Sequence, residues 1–518
     1  MTQTAEAANL LADFRNQREQ GSLNAEQVER QALRAASLII NHHQECGGYL
    51  RDAVTLLCEI TSDENQEVAR AGIRALFPAL IERLNDSFDP AACKLYDRIF
   101  ARIIDFYRRL PQAKEFNDTL RGFGLLNESG LLARKSRIRI PHSALRIPHS
   151  AISKILILSR VTIGADVAVT SVIIAKLREL LPEAEFVLLG SSKLRELFGG
   201  DPRVRIREIK YERGSSVLSR LTSWIDVVEA VNDEVRGLNA DEFWLIDPDS
   251  RLTQLGLLPL LKDERNYFFF ESRSYQGPKP STEANPQSAI RNPQSIGHLA
   301  SCWLNEVFGL TGETFPDVAL PSEHQNFGRN VADKLRRAGA SRITAISLGV
   351  GGNQSKRVSG QFESELIQRL INDSTLILDK GATAEERDQI NRITATLTAS
   401  GHTVIEINEQ NLEDVVSRDE LRADAITWDG GIGAFAGLIA ASDQYIGYDS
   451  AGQHIAAALR VPTLTIFANP NSETFAERWR PYGAGVVEVL GVRNDCGSAD
   501  LILPQILTAH RQVFTQNF

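Results

Sequence analysis

Apolar residues recur at three- and four-residue spacing through 25–43, 49–61, 66–86 and 89–109. That is the period of one helix face. Aspartate or asparagine stands near the boundaries, as in Asn85-Asp86 and Phe88-Asp89-Pro90, where such side chains terminate or start helices. Few β-branched runs interrupt the pattern. Residues 1–135 are therefore expected to form an all-helical domain, a bundle or a short stack of helix pairs.

The texture changes at Lys154. KILIL, FVLLG (186–190), VRIREI (204–209), FWLID (243–247) and YFFFE (267–271) are short apolar runs of strand length. Helical patterns such as VAVTSVIIAKLRELL and LSRLTSWIDVVEAVNDEV lie between several of them. A second series, ITAISLG, TLILD, TVIEI, QYIGYD, TLTIFA and VVEVL, begins after residue 325. Strands alternating with helices build parallel sheets covered on both faces. The expected fold class is α/β: two Rossmann-like doubly wound domains, 154–325 and 326–518, preceded by the helical domain. Ligands of such sheets bind beyond the carboxyl ends of the strands.

Between the helical region and the first strand lies RIPHSALRIPHSAIS, a seven-residue unit given twice (Arg139–Leu145 and Arg146–Ile152), and a related unit recurs in Asn285–His298. Proline at every seventh residue forbids a regular helix or central strand. The repeats read as tandem duplications in surface linkers, and 136–153 is taken as the linker.

Composition narrows the function classes. The 518 residues are 43% hydrophobic and 24% charged, as in a soluble globular protein. No apolar run reaches 18 residues, the length a membrane-crossing helix needs. The first residues, MTQTAEAANLLADF, lack a basic and then apolar leader. Cys46, Cys58, Cys93, Cys302 and Cys496 are scattered, without a C-x-x-C pair. That spacing fits a reducing cytoplasm and no structural zinc. The net charge of −9 disfavours nucleic acid as the main partner, because phosphate backbones select basic surfaces.

Three strand-end loops could carry chemistry. In SRVTIGADVAVTSVIIAKL, Gly164 permits a tight turn and Asp166 precedes a helix. A carboxylate there would serve as a general base on a hydroxyl or would cap the helix. In ISLGVGGNQSKRVSGQ, the turn holds Gly349, Gly351 and Gly352, and Lys356-Arg357 follow. Glycines let backbone N–H groups approach a phosphate, and lysine adds a point charge; the G-K-S/T ending of a P-loop is missing. In IGYDSAGQHIAAALRVP, Asp449 and Ser450 end a strand and begin a helix. Gly452 keeps the entry slim, and His454 lies on the first turns. Unpaired N–H groups at a helix start attract phosphate. Asp247 and Asp249 form a D-x-D at another strand end, a pattern that can hold a divalent cation; here acceptor-side or turn-forming roles are preferred, and no metal is expected.

Taken together, the loops resemble the family-9 glycosyltransferases, which include the bacterial heptosyltransferases. The resemblance spans roughly 154–515. It rests on Gly164-Ala165-Asp166-Val167 beside the family's G-D-V turn, and on Lys356-Arg357-Val358 beside its K-R-W-type element. It rests above all on Asp449-Ser450-Ala451-Gly452-Gln453-His454 with Ala456-Ala457-Ala458, Pro462 and Phe467. The family pattern there is D-S/T-G-x-x-H-x-A-A-A-x-x-x-P before a strand ending in F-G. DPDSRLTQLGLLPLL, ESRS and HLASCWLNEVFGL in the middle region are also similar. The departures are the additional Ala165, Val358 for the aromatic residue, Ala451 for glycine and Ala468 for the glycine after Phe467.

The resemblance implies a two-domain, metal-independent, inverting glycosyltransferase with a nucleotide-sugar as donor substrate, ADP-heptose being the particular candidate, and a saccharide or lipid-linked acceptor. Asp166 would be the general base and Lys356 would stabilise the leaving diphosphate. Asp449, Ser450, Gly452 and His454, with Gly351, Gly352 and Arg357, would hold the donor. Glu385 or Glu386 would contact its ribose or sugar. The expected location is the cytoplasm or the inner membrane's cytoplasmic surface. The helical domain would dock a protein partner, an acceptor or a membrane surface. A non-catalytic sugar-nucleotide or glycan-binding protein and an epimerase of the same fold are the alternatives.

Overall fold

The computed structural model of the chain describes residues 2–139, 151–211, 214–278, 294–351, 353–358, 361–493 and 499–515. Gly352 and most of both seven-residue repeats lie outside these.

The amino-terminal region is helical throughout. Its main helices are Gln3–Glu19, Ala25–Cys46, Arg51–Thr61, Gln66–Arg74, Pro90–Tyr107, Lys114–Gly122 and Glu128–Ile138. Their starts have side-chain caps where the sequence supplies them. Asn24 accepts from the N–H of Gln27, and Asp89 accepts from those of Ala91 and Ala92, with Pro90 in the first helical turn. The 66–86 segment, one helix by its periodicity, is three consecutive pieces. Pro78 sits inside a π-helical stretch, Ala75–Glu82, because proline lacks the N–H that a regular turn would use.

Among the described residues twelve strands follow. The first five are β1 (Lys154–Leu158), β2 (Glu185–Gly190), β3 (Val204–Glu208), β4 (Phe243–Asp247) and β5 (Tyr267–Phe269). The later seven are β6 (Ile343–Ser347), β7 (Thr375–Asp379), β8 (Val404–Asn408), β9 (Ala425–Asp429), β10 (Gln444–Tyr448), β11 (Thr463–Ala468) and β12 (Val487–Val492). They form a five-stranded and a seven-stranded sheet. The fold is α/β, with two Rossmann-like parts after an all-helical region.

The chain condenses into two compact units. The first comprises Met1–Val161, Leu189–Ser191 and Arg207–Gln276. In it β1 pairs parallel with β4, and β4 with β5. Helix Glu128–Ile138 is fastened to the β4–β5 region by buried charge. Arg134 donates to Glu264 at 2.5 Å and to the carbonyl of Gly256 at 2.7 Å. Lys135 pairs with Asp97 at 3.1 Å and Glu271 at 3.3 Å, and donates to the carbonyl of Leu255.

The second unit comprises Thr162–Leu188, Ser192–Ile206 and Gly277–Phe518. Its seven strands run in the order β12-β11-β10-β6-β7-β9-β8, and every pairing is parallel. Ile346, Leu376, Leu378, Ile446, Leu464 and Ile466 form part of the buried core, which is why these strands read as unbroken apolar runs. β6 and β10 are neighbours with Ser347 opposite Gly447. From β6 the chain continues to β7 on one side; from β10 it continues to β11 on the other. This reversal is the topological switch point, and the carboxyl ends of β6 and β10 open the crevice where such sheets bind ligands.

Candidate functional site

Two loops meet at the switch point. The one after β6 carries Gly349, Gly351 and Lys356; the one after β10 is Asp449-Ser450, followed by helix Ala451–Ala458. Lys356 Nζ lies 2.5 Å from Asp449 Oδ2, joining the two loops. The Lys356 loop is held from both ends. Asn469 donates to the carbonyl of Ser355 at 2.9 Å, and the Tyr448 hydroxyl accepts from the N–H of Val358 at 3.2 Å. Val358, where the related pattern has an aromatic residue, is buried in the core.

Ser450 is the residue before the helix and is extended, and its hydroxyl does not cap the helix. The first-turn N–H groups are thus not claimed by that side chain. Gly452 is required by packing: a Cβ there would come within 2.2 Å of the Tyr445 hydroxyl. It is buried against that ring, so it shapes the helix start from beneath.

His454 is 4% exposed. Burial, the larger influence, lowers its pKa to about 4 against the opposing pull of Asp449, and Lys356 adds to the lowering. The Gln453 amide nitrogen donates to Asp449 Oδ1 at 2.8 Å and lies 3.2 Å from His454 Nε2. An amide nitrogen offers only hydrogens, so His454 Nε2 faces it as an acceptor and the ring proton sits on Nδ1. His454 is a neutral donor here, and Lys356 supplies the positive charge.

The turn bearing Asp166 lies against the same helix. A Cβ on Gly164 would meet Ala451 Cα at 3.2 Å and His454 Cδ2 at 3.5 Å. Asp166 begins a π-helical turn, Asp166–Thr170. Ala165 closes the short helical turn Ile163–Ala165, and the π turn follows directly after it. The Asp166 side chain is 1% exposed and accepts from Thr170 Oγ1 at 2.9 Å.

The glycine turn is occupied by a protein carboxylate. Glu386 Oε1 accepts from the N–H groups of Val350 at 2.8 Å and Gly351 at 3.2 Å. Its Oε2 accepts from Ala382 and Thr383. Burial would raise the Glu386 pKa, but these four backbone donors outweigh it and the net shift is downward. Glu385 is exposed on the same helix. Arg357 reaches Glu363 and the carbonyl of Leu348.

Of the sequence candidates, Asp166, Lys356, Asp449, Ser450, Gly452 and His454 therefore gather around one helix start. Gly351 is bound to Glu386, Glu385 stands apart, and Gly352 is not among the described residues. Sequence reasoning missed Gln453, whose amide links Asp449 to His454. It also missed Asp379 at the end of β7, held by Ser347 Oγ at 3.0 Å, whose pKa burial raises to about 6. Position at a strand end was the available signal for Asp379.

In the first unit, Asp247 accepts from Ser250 N–H, Thr253 Oγ1 and Tyr267 OH. Asp249 is bound by Arg273 and Ser272, and burial, which would raise its pKa, is overcome by Arg273, leaving it at about 2. The D-x-D carboxylates are engaged by protein donors, and no cluster of three ligating side chains suited to a metal occurs among the described residues. Asp249 and Val161 both have left-handed backbones, φ 66° and 75°. Such strain in a β-branched residue marks an over-determined loop.

The strand-end crevice thus holds a lysine, a neutral histidine and a helix start without a side-chain cap. Residues 430–499 match the model of glycosyltransferase family 9 (heptosyltransferase), so the class to which this segment points is the glycosyltransferases, in their heptosyltransferase-like form. E. coli heptosyltransferase WaaC with ADP is similar over 69% of this chain and 99% of its own, with 15% identity and a TM-score of 0.44. The family-9 glycosyl transferase from Veillonella parvula covers 71% of this chain and 99% of its own, with 11% identity and a TM-score of 0.43. E. coli ADP-heptose lps heptosyltransferase II covers 70% and 100%, with 14% identity and a TM-score of 0.42. No curated protein sequence matches the chain. No helix among the described residues is long and apolar enough to cross a membrane.

Proposed function

We propose that the chain transfers a sugar from a nucleotide-sugar donor to a saccharide or lipid-linked acceptor, inverting the anomeric centre without a metal. A heptose from an ADP-activated donor is the particular donor proposed. The observation that carries the reading is the meeting, at one helix start, of the Lys356–Asp449 pair and the Gly164 turn that leads into Asp166.

In this reading the diphosphate lies at the start of helix Ala451–Ala458, where helix polarity and unpaired N–H groups favour negative charge. Lys356 leaves Asp449 in part and neutralises charge building on the departing diphosphate. His454, neutral, offers Nδ1–H as a hydrogen-bond donor. Asp166 takes the proton of the acceptor hydroxyl as its oxygen attacks the anomeric carbon; the bond to the diphosphate breaks on the opposite face. Because Asp166 is buried against Thr170, acceptor binding must expose it. The chain is placed in the cytoplasm or at the inner membrane's cytoplasmic surface. We place the donor-side domain at 326–518 and the acceptor-side domain at 154–325.

Burial of Asp166 also favours a second reading, a sugar-nucleotide-binding protein without transfer. The two are separated by following ADP release from ADP-heptose with and without saccharide acceptors. Transfer predicts acceptor-dependent release that Asp166→Asn reduces by ~10²–10⁴-fold, the usual cost of losing a general base. Nucleotide binding with no release supports the second reading, and release without any acceptor supports an epimerase.

A further inference from the structure

The second unit contains another polar recess. It lies between helix Ile296–Phe308 and the segment Arg480–Gly483, and its cavity volume is about 210 Å³. That is below the roughly 300–1,000 Å³ of sites for drug-sized ligands, so the recess suits one small ring rather than a larger ligand. Ser295, His298, Glu313, Arg480 and Tyr482 line it.

Glu313 is the acidic residue of its lining. Its Oε1 accepts from the Tyr482 hydroxyl at 2.6 Å and faces His298 Nδ1 at 3.0 Å. The carboxylate is 48% exposed and His298 is 27% exposed. His298 is fixed from its other side by Cys302 Sγ, 3.4 Å from Nε2. The Tyr482 ring is braced edge-on by His298 and packed by Phe315 at 4.9 Å. The recess is therefore lined by a braced aromatic ring, a half-exposed carboxylate and Arg480. A carboxylate in the lining disfavours phosphate or another anion. Vicinal hydroxyls, each donor and acceptor, match the carboxylate and guanidinium, and the C–H face of a sugar ring matches Tyr482.

Position adds a second argument. A Cβ on Gly297 would come within 2.7 Å of the Ala168 carbonyl and 2.9 Å of the Tyr482 ring. Ala168 lies in the π turn that begins with Asp166. On the other wall, a Cβ on Gly483 would come within 2.4 Å of the Ala457 carbonyl, on the helix that starts at Asp449-Ser450. The recess thus backs onto the π turn that begins with Asp166 and onto the carboxyl-terminal end of helix Ala451–Ala458, through glycines that permit the contact.

We propose that this recess is a saccharide subsite in which Glu313, Tyr482 and Arg480 hold a sugar ring of the acceptor. The assignment to an acceptor rests on the glycosyltransferase reading; saccharide binding itself does not. The test is saturation-transfer NMR on the full chain with the methyl pyranosides of glucose, galactose and mannose and with N-acetylglucosamine. Sodium phosphate serves as an anion competitor, and ADP binding is measured in parallel. At least one glycoside should bind, with about tenfold weaker affinity in Glu313→Gln and in Tyr482→Ala, the cost of one charged hydrogen bond or one ring contact. Tyr482→Phe keeps the ring and should bind more tightly than Tyr482→Ala, which separates recognition from misfolding. ADP binding should be unchanged in all three. Failure of all four sugars, equal binding by wild type and variants, or displacement by phosphate overturns the subsite. Loss of ADP binding in the wild type with glycoside binding intact overturns the nucleotide-sugar reading instead.

Discussion

Lys356 Nζ lies 2.5 Å from Asp449 Oδ2, which ties the loops leaving β6 and β10 across the topological switch point. The pair leaves the helix start with a cation in place while it has no ligand to neutralise. Lys356→Ala would remove that charge and expose the site to Asp449 alone. ADP affinity should fall at least about tenfold, the loss of one charge-assisted contact. Lys356→Arg should recover part of it, since arginine keeps the charge but not the point geometry. Isothermal calorimetry on the three proteins checks this.

Glu386 binds four backbone N–H groups, two in the glycine turn and two at its own helix start. Glu386→Ala should destabilise the second unit by on the order of 3 kcal/mol, because buried donors lose their acceptor. Its pKa is depressed, so its contribution is complete above the unfolded value of about 4.3 and is lost as pH falls through the lower folded value. Urea unfolding of both proteins at pH 7 and pH 3 should show the difference shrinking in acid.

The two buried histidines act with the same sign by another route. His454 and His510 are each lowered to about 4 by burial. Between the unfolded pKa of about 6.5 and pH 4, the unfolded chain binds protons that the folded one refuses. Stability is therefore complete above pH 6.5 and declines on acidification by roughly 1.4 kcal/mol per pH unit for each. Asp379, raised to about 6, opposes this. Comparing wild type with His454→Gln isolates one histidine: the wild-type slope should be the steeper.

Lys135 is 1% exposed between Asp97 and Glu271. Lys135→Ala should destabilise the first unit by roughly 1–3 kcal/mol, because Asp97 and Glu271 lose one of the two cations they share; Arg139 still pairs with both, at 2.6 and 2.7 Å. Deleting residues 2–138 should give an insoluble remainder, because Glu264 and Glu271 would lose Arg134, Lys135 and the cap those helices provide. Sedimentation of the expressed fragment checks the second statement.

Much of the fold could be read along the chain. Strands β6, β7, β9, β10 and β11 are largely buried and so appear as apolar runs, and the Asp449–His454 turn has local spacing that survives in the structure. The interruptions at Pro78 and at Asp166 were harder, because a π turn leaves no distinct period. The least legible features were contacts between distant residues. Glu386 announces itself as the partner of Thr383 in a T-x-x-E cap, yet nothing local shows that its other oxygen grips Val350, thirty-odd residues earlier. The burial of Lys135 depends on Glu271, more than a hundred residues away. His454 read as a phosphate contact, and only its surroundings show it to be uncharged.

Calorimetric titration of ADP, UDP, GDP, dTDP and CMP into the metal-free full chain, repeated with His454→Ala, tests the central claim most directly. The account predicts that one nucleotide, ADP by the present reading, binds the wild type and binds His454→Ala more weakly. Saturation at 100 times the dissociation constant should also stabilise the second unit by roughly 2.7 kcal/mol. Absence of binding by all five, or identical binding by the variant, would contradict it.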